Sequence, residues 1–448
     1  MPSSKKPVTF FTSFVLLAAL VITAVGSPAL AQGSQPPITI WTKFNDQNPQ
    51  NTQDEWLRSA LAEYLAETGN QVTNVFQPFD QINAQLNVAV QAQAQVPDVS
   101  YVDSQYLGFL TQNGVLTDLT EWVTSRPWFE DLEPAALAAC TTPEGEIVCV
   151  PTTVTTHFMY YWTAYFPDGF PHDTDSFLAA AARIQSERPG SFAFAGKLSE
   201  FFAVERFYYG LIRSFGGDIV DEAGRAAWAN DATVQTVEFA RALVQENYTS
   251  DLSLAPGFDY ETPFKQGDAA SFVAGSYSYV YLAPLTSPDG TDFEAPVGAF
   301  DAGGLAVGAA LEAGELAFAP PITAPGGEPF SLTLATGWGV PRGAPNVEAA
   351  LAFIDFQMTT ARNAAFAVGY GALPAMISAA AAETFQTPYW LGVAQYQREY
   401  GIGAPALEEY QRALTLLAES FVRLITDPSL DIMAELEASQ ADYNAGLD

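Results

Sequence analysis

The sequence predicts an α/β protein of two lobes, each a sheet wound with helices, and three observations carry that prediction. The chain has 448 residues. Setting aside an N-terminal leader of 31 leaves 417, more than the ~250–300 residues at which one core usually divides. Short β-rich runs alternate with 3.6-periodic stretches through the first third of the chain, an order that builds a parallel sheet. Hydrophobic residues make up 48% and aromatics 13%, far from the polar, aromatic-poor signature of disorder.

The leader is read from Lys5 and Lys6, the apolar run 10–25, and Ala29-Leu30-Ala31, which places small residues at the −3 and −1 positions of a cleavage site. This is the pattern of a secretory signal peptide over residues 1–31. The run is short for a membrane span of ~20 residues and leads into Pro28; its retention as an anchor is the alternative. No cysteine precedes Cys140, so no lipid-modified cysteine stands at the cleavage point. The expectation is a secreted periplasmic or extracellular protein that is not lipid-anchored.

Taking residues in chain order, 38–41 is a strand behind Pro36-Pro37, and Trp56, Leu57, Ala60, Leu61, Tyr64 and Leu65 mark a helix stopped by Gly69. A strand at 72–76, a helix from Ile82 to Ala94 capped by Asp80, a strand at 99–102 and a helix at 106–112 complete the alternation. Ligands of such sheets bind beyond the carboxyl ends of the strands. The loops after Trp41, Phe76 and Val102 therefore share one edge. Further on, the pattern predicts a strand over 153–162, helices over 175–188, 200–215 and 232–247 (the last capped by Asp231), a strand over 332–340, and helices over 346–358, 407–425 and 431–443. The Gly/Pro/Ala-rich stretch 284–327 reads as loops with one short helix or hairpin.

The formal charge is −33, and −35 without Lys5 and Lys6. It arises from only 18 Lys plus Arg against 51 Asp plus Glu, and a field of this sign excludes phosphate backbones and anionic lipid as partners. Cys140 and Cys149 bracket a turn signal followed by a strand, so in an oxidising compartment a disulfide clipping a hairpin is expected. With His157 and His172 as the only histidines, no metal site is expected, and both are assigned structural or solvent-facing places. Tyr160-Tyr161 are adjacent strand residues pointing to opposite faces, which argues against metal capture.

A resemblance then emerges across nearly all of the chain. Ile38-Thr39-Ile40-Trp41, the run Pro97-Asp98-Val99-Ser100-Tyr101-Val102-Asp103-Ser104, Gly114-Val115-Leu116-Thr117-Asp118-Leu119, Gly145-Glu146-Ile147-Val148-Cys149-Val150-Pro151, Tyr160-Tyr161-Trp162, Gly216-Gly217-Asp218-Ile219-Val220-Asp221, Phe264-Lys265-Gln266-Gly267-Asp268 and Gly371-Ala372-Leu373-Pro374 follow one another in order. Together they resemble the carbohydrate-type, maltose-binding-protein-like extracellular solute-binding proteins of ABC importers. Two positions depart from that family: Trp162 stands where asparagine is frequent, and Tyr277 where a tryptophan is usual.

The resemblance implies the two-lobed periplasmic-binding-protein fold of type II with about three hinge crossings. The N-lobe would comprise 36–151 and 320–369, and the C-lobe 152–319 and 370–448. It implies a monomer that captures a small carbohydrate between the lobes and delivers it to ABC transporter permease subunits, without a cofactor. A sugar site needs aromatic platforms and a few carboxylates or amides. The positions expected to face the cleft are Phe44, Asn45, Asp46, Asp103, Ser104, Trp162, Tyr277, Trp338 and Tyr370. The competing fate of each aromatic is burial in a lobe core, the place assigned to Tyr208-Tyr209. Enzyme motifs for phosphate loops, nucleophile elbows and zinc helices are absent from the sequence, and the protein is expected not to be an enzyme. The alternatives are a binder of a polyol phosphate or other small solute, for which Lys43 in the first cleft loop is a donor, and a secreted glycoside hydrolase.

Overall fold

Two β-sheets organise the chain in a computed structural model that describes residues 36–447, except 297, 298, 300, 406 and 408. The expected leader, 1–31, lies outside the described residues. In order, the strands are β1 (Ile38–Thr42), β2 (Val72–Phe76), β3 (Val99–Asp103), β4 (Val150–Thr155), β5 (His157–Trp162), β6 (Phe192–Ala195), β7 (Ala269–Gly275), β8 (Leu285–Thr286), β9 (Asp292–Phe293), β10 (Leu316–Ala319), β11 (Ser331–Leu332), β12 (Leu334–Gly339), β13 (Leu373–Pro374) and β14 (Gly401–Ile402). Six form one sheet in the order β13-β4-β12-β3-β1-β2, and four form another, β10-β5-β7-β6. Helices flank both.

The winding read from the sequence is the parallel part of the first sheet. β1 pairs in parallel with β2 and with β3, through the helices Thr52–Thr68 and Ile82–Ala92. Asn51 caps the first of these by accepting from the Gln53 and Asp54 amides. The second begins at Gln81 without a side-chain cap, so Asp80 does not have the role expected of it. The other half of the sheet is antiparallel: β12 runs against β3 and β4, and β13 against β4. These pairings join segments far apart in the chain, which leave no local pattern to read.

The strand expected over 153–162 is in fact two. β4 belongs to the first sheet and β5 to the second, and the chain crosses at Thr156. A run of β-branched and aromatic residues hides that break, since each half is equally at home in a strand. The Thr155 and Ser276 hydroxyls, 3.1 Å apart, tie the two sheets together at this crossing. At the other end, the chain is still paired in the first sheet at Pro374.

The apolar helix expected over 200–215 carries a π-helical turn, Val204–Tyr208, between Glu200–Ala203 and Tyr209–Ser214. Gly210 is required just beyond it, because a Cβ there would run into the Phe330 carbonyl. The 284–327 stretch holds more order than expected: the β8–β9 pair, the helix Ala302–Glu312 and β10, an edge strand of the second sheet. The helix Asp231–Gln245 is capped by Asn230 rather than Asp231. Two helices unread in the sequence, Thr360–Tyr370 and Pro388–Tyr400, complete the frame.

Cys140 and Cys149 are joined by a disulfide with Cα atoms 5.1 Å apart. It clips a narrow hairpin in which the Thr142 amide donates to Glu146 and that of Val148 to Cys140. Both cysteines are buried beside Leu86, Val102 and Leu110. Among the described residues, no helix is long and apolar enough to cross a membrane.

Candidate ligand-binding site

The carboxyl ends of β1, β2 and β3 meet at one edge of the first sheet, as parallel winding dictates. There Lys43, Phe76 and Asp103 line a cavity of about 460 Å³. Asn51, Gln53 and Asp54 from the start of the Thr52–Thr68 helix, Gln105, and Thr336 of β12 extend this wall. The facing wall comes from segments attached to the second sheet: Arg206 on the π-helical turn, Phe258, Glu261, Lys265, Tyr277 and Tyr281.

A hydrogen-bonded chain fixes the first wall. The Lys43 ammonium donates to the Tyr370 hydroxyl at 3.4 Å, the Tyr370 and Tyr101 hydroxyls are 3.0 Å apart, and Tyr101 donates to Asp103 at 3.4 Å. Asp103 also accepts from the Gln105 amide at 3.2 Å. The Lys43 nitrogen lies 4.7 Å from the Tyr370 ring centre and 5.0 Å from that of Phe79, a cation–π arrangement that offsets lost hydration. Burial still brings the ammonium down to about 8, although Asp103 opposes that shift. Burial likewise raises the Asp103 carboxyl. Gly371, with φ of +80°, ends the Thr360–Tyr370 helix and holds Tyr370 at the cavity.

On the second wall, Arg206 donates to the Tyr260 hydroxyl at 2.8 Å, and its guanidinium lies 4.6 Å from the Phe202 ring centre. Tyr277 is positioned by His157, whose Nε2 lies 3.1 Å from its hydroxyl. His157 is buried and thereby held well below the usual imidazole range, with Arg206 adding to the effect. It is a structural neutral ring, as expected. Burial pushes Glu261 up to about 7. Three aromatics at the cavity keep much of their surface in solvent: Phe258 at 49%, Phe76 at 46% and Tyr281 at 37%.

Of the nine positions expected in the cleft, the cavity brings together Asp103, Tyr277 and Tyr370. Phe44 lies behind them, 1% exposed and edge-on to Tyr101 and Tyr370. The chain leaving β1 turns Lys43 to the cavity and Phe44 inward. Asn45 donates its amide to Asp54, Asp46 accepts from Asn74 and Gln47, and Ser104 accepts from the Ala335 amide; these three serve loop structure away from the cavity. Trp338 is buried against Trp56, Phe353 and Phe366. Trp162 is fully buried, its indole donating to the Phe264 carbonyl at 3.0 Å. Both tryptophans are core residues.

Among the residues missed, Phe76 could have been found by the rule that selected Asp103, since it ends a parallel strand on the same edge. Arg206 left a signal as a cation set between Phe202 and Phe207-Tyr208-Tyr209 in an apolar helix. Phe258, Glu261 and Tyr281 come from irregular segments and left none.

Residues 59–389 match the family described as bacterial extracellular solute-binding protein, and the chain belongs to that family. Its fold is that of the two-lobed binding proteins. The GacH receptor of Streptomyces glaucescens, solved unliganded and with acarbose, superposes with a TM-score of 0.75 at 17% identity, over 92% of this chain and 98% of that one. A solute-binding protein of Thermotoga lettingae bound with α-D-tagatose gives 0.76 at 16%, over 92% and 100%. The maltotriose-binding protein of Thermus thermophilus gives 0.69 at 19%, again over 92% and 100%. No curated protein matches the chain in sequence.

Proposed function

We propose that this protein is an exported, monomeric receptor that captures a small carbohydrate between two lobes and delivers it to the permease of an ABC importer. The lobes would be built on the six-stranded and four-stranded sheets, parting at Thr156, between Ala319 and Ser331, and beyond Pro374. The observation that carries this reading is the cavity at the carboxyl edge of β1, β2 and β3, walled by both sheets' segments and furnished with partly exposed aromatic rings. Ring faces of Phe76, Phe258 and Tyr281 suit the C–H faces of a sugar, and carboxyl and amide groups suit its hydroxyl rim. Gln105 offers a buried side-chain carbonyl oxygen without a partner, a ready acceptor for a hydroxyl proton. Related folds that bind acarbose, tagatose and maltotriose support a sugar as the solute class.

The family supplies binding proteins rather than catalysts, and we extend that to this chain. Titration calorimetry against neutral and acidic mono- and oligosaccharides, followed by chromatography of the recovered solute, tests the reading. Saturable binding with the saccharide recovered intact is expected. Hydrolysed product would move the protein to the glycoside hydrolases, and absence of binding across the panel would remove the carbohydrate assignment.

A further inference from the structure

The cations of this chain are scarce and unevenly placed. Among the described residues there are three lysines, and two of them, Lys43 and Lys265, line the cavity with Arg206. The third, Lys197, pairs with Glu200 and donates to the Ala255 and Gly257 carbonyls. Several arginines elsewhere are paired too, such as Arg362 with Glu63 and Glu67. No carboxylate oxygen among the described residues lies within ion-pair distance of Lys43, Arg206 or Lys265. In a chain of net charge −33, three cations without a carboxylate in ion-pair contact gather at one cavity; Lys265 is the more open and donates to the Tyr281 carbonyl, whereas the desolvated Lys43 and Arg206 call for a charge partner from outside.

The cavity's own carboxyls do not fill that place. Asp54 accepts the backbone amides of Asn45 and Gln50 and so belongs to the loop after β1. Asp103 is engaged by the Gln105 amide and the Tyr101 hydroxyl. Glu261 is pushed up to about 7 by burial, against the opposing pull of Lys265 and Arg206, so it meets those cations only as a partly charged group. Arg206 spends one donor on Tyr260 and has the rest of its planar fork, suited to a carboxylate, without a partner. Lys43 and Arg206 come from opposite walls of the one cavity, and the Arg206 charge adds to the lowering of Lys43.

We propose that the captured solute is a carboxylated sugar, a uronic acid or an oligosaccharide containing one, whose carboxylate lies between Lys43 and Arg206 with Lys265 adding positive charge at the cavity. This rests on the carbohydrate-receptor reading and narrows it to an anionic member of that class. The preference for a carboxylate over a phosphate follows from the charge: three cations face two committed carboxylates and one partly neutral carboxyl, an excess of at most one positive charge, which suits a singly charged group better than a doubly charged one.

Calorimetry with matched pairs tests this: glucuronate against glucose, galacturonate against galactose, and their di- and trisaccharides, with the sugar 6-phosphates as a third arm. The acidic member is expected to bind at least ~10-fold more tightly than its neutral counterpart, the factor a charge-assisted hydrogen bond supplies. Lys43→Gln keeps a donor but loses the charge, and should weaken acidic-sugar binding by about 10- to 100-fold while changing neutral-sugar binding much less. Lys265→Gln, at a more open position, should shift binding in the same sense. Thermal unfolding of each variant separates lost affinity from lost fold. Equal or tighter binding of the neutral partners would overturn the carboxylate and leave the receptor reading intact. A preference for the phosphates would overturn the carboxylate in favour of another anion. A panel with no saccharide bound overturns both readings.

Discussion

Truncating Trp338 or Trp162 to alanine is expected to cost about 3–5 kcal/mol of stability, the range for removing a fully enclosed large aromatic. Trp338 is wedged among Trp56, Phe353 and Phe366, and Trp162 lies against Phe264 and Phe293. Neither residue reaches the cavity. Phe258→Ala and Tyr281→Ala should behave in the opposite way, weakening ligand binding by roughly 1–3 kcal/mol with little change in melting, because those rings are already partly in solvent. Chemical denaturation and calorimetry on the four variants check the division. Tryptophan variants that melt normally but lose ligand would place the site elsewhere.

The second large effect is on the pH dependence of stability. Glu205 is buried, takes a 3.0 Å hydrogen bond from the Tyr410 hydroxyl, and has its other oxygen without a partner. Burial chiefly, with Asp103 adding and Tyr410 and Arg206 opposing, raises its carboxyl from 4.5 to about 8. Glu261 is raised in the same direction to about 7. The folded state therefore keeps protons that the unfolded chain releases above 4.5. This contribution is fully present below 4.5 and lost as pH rises through about 7 to 8. Lys43, lowered to about 8, acts above that window. Glu205→Gln removes the cost of ionising the buried group and should stabilise the protein by roughly 2–4 kcal/mol at pH 8, with no gain at pH 4.5. Both proteins share the general acidity of the chain, so the difference between their curves isolates Glu205. A constant difference across the range would contradict the assignment.

What could be read from the sequence follows from where the information is local. The alternation through β3 is written in periodicity and turn residues, so the parallel edge and Asp103 at its end were legible. The antiparallel return of β12 against β3 and β4 was not, because nothing in Leu334–Gly339 encodes which distant strand it meets. Trp162 and Trp338 belong to the core and not to the cleft, and the sequence does not reveal this because position near a crossing does not say which face of a strand is enclosed. Phe76 and Arg206 were present as signals, one as a strand end and the other as a cation in an apolar run, and the π-helical turn that presents Arg206 has no sequence signature. The opposite wall depends on irregular segments, whose path is set by packing.

A saccharide held by both lobes at once should bias the hinge toward closure. Small-angle scattering with and without a saturating saccharide identified by calorimetry tests it most directly. A smaller radius of gyration and a more compact distance distribution are expected in the bound state. An unchanged radius at full occupancy would contradict it.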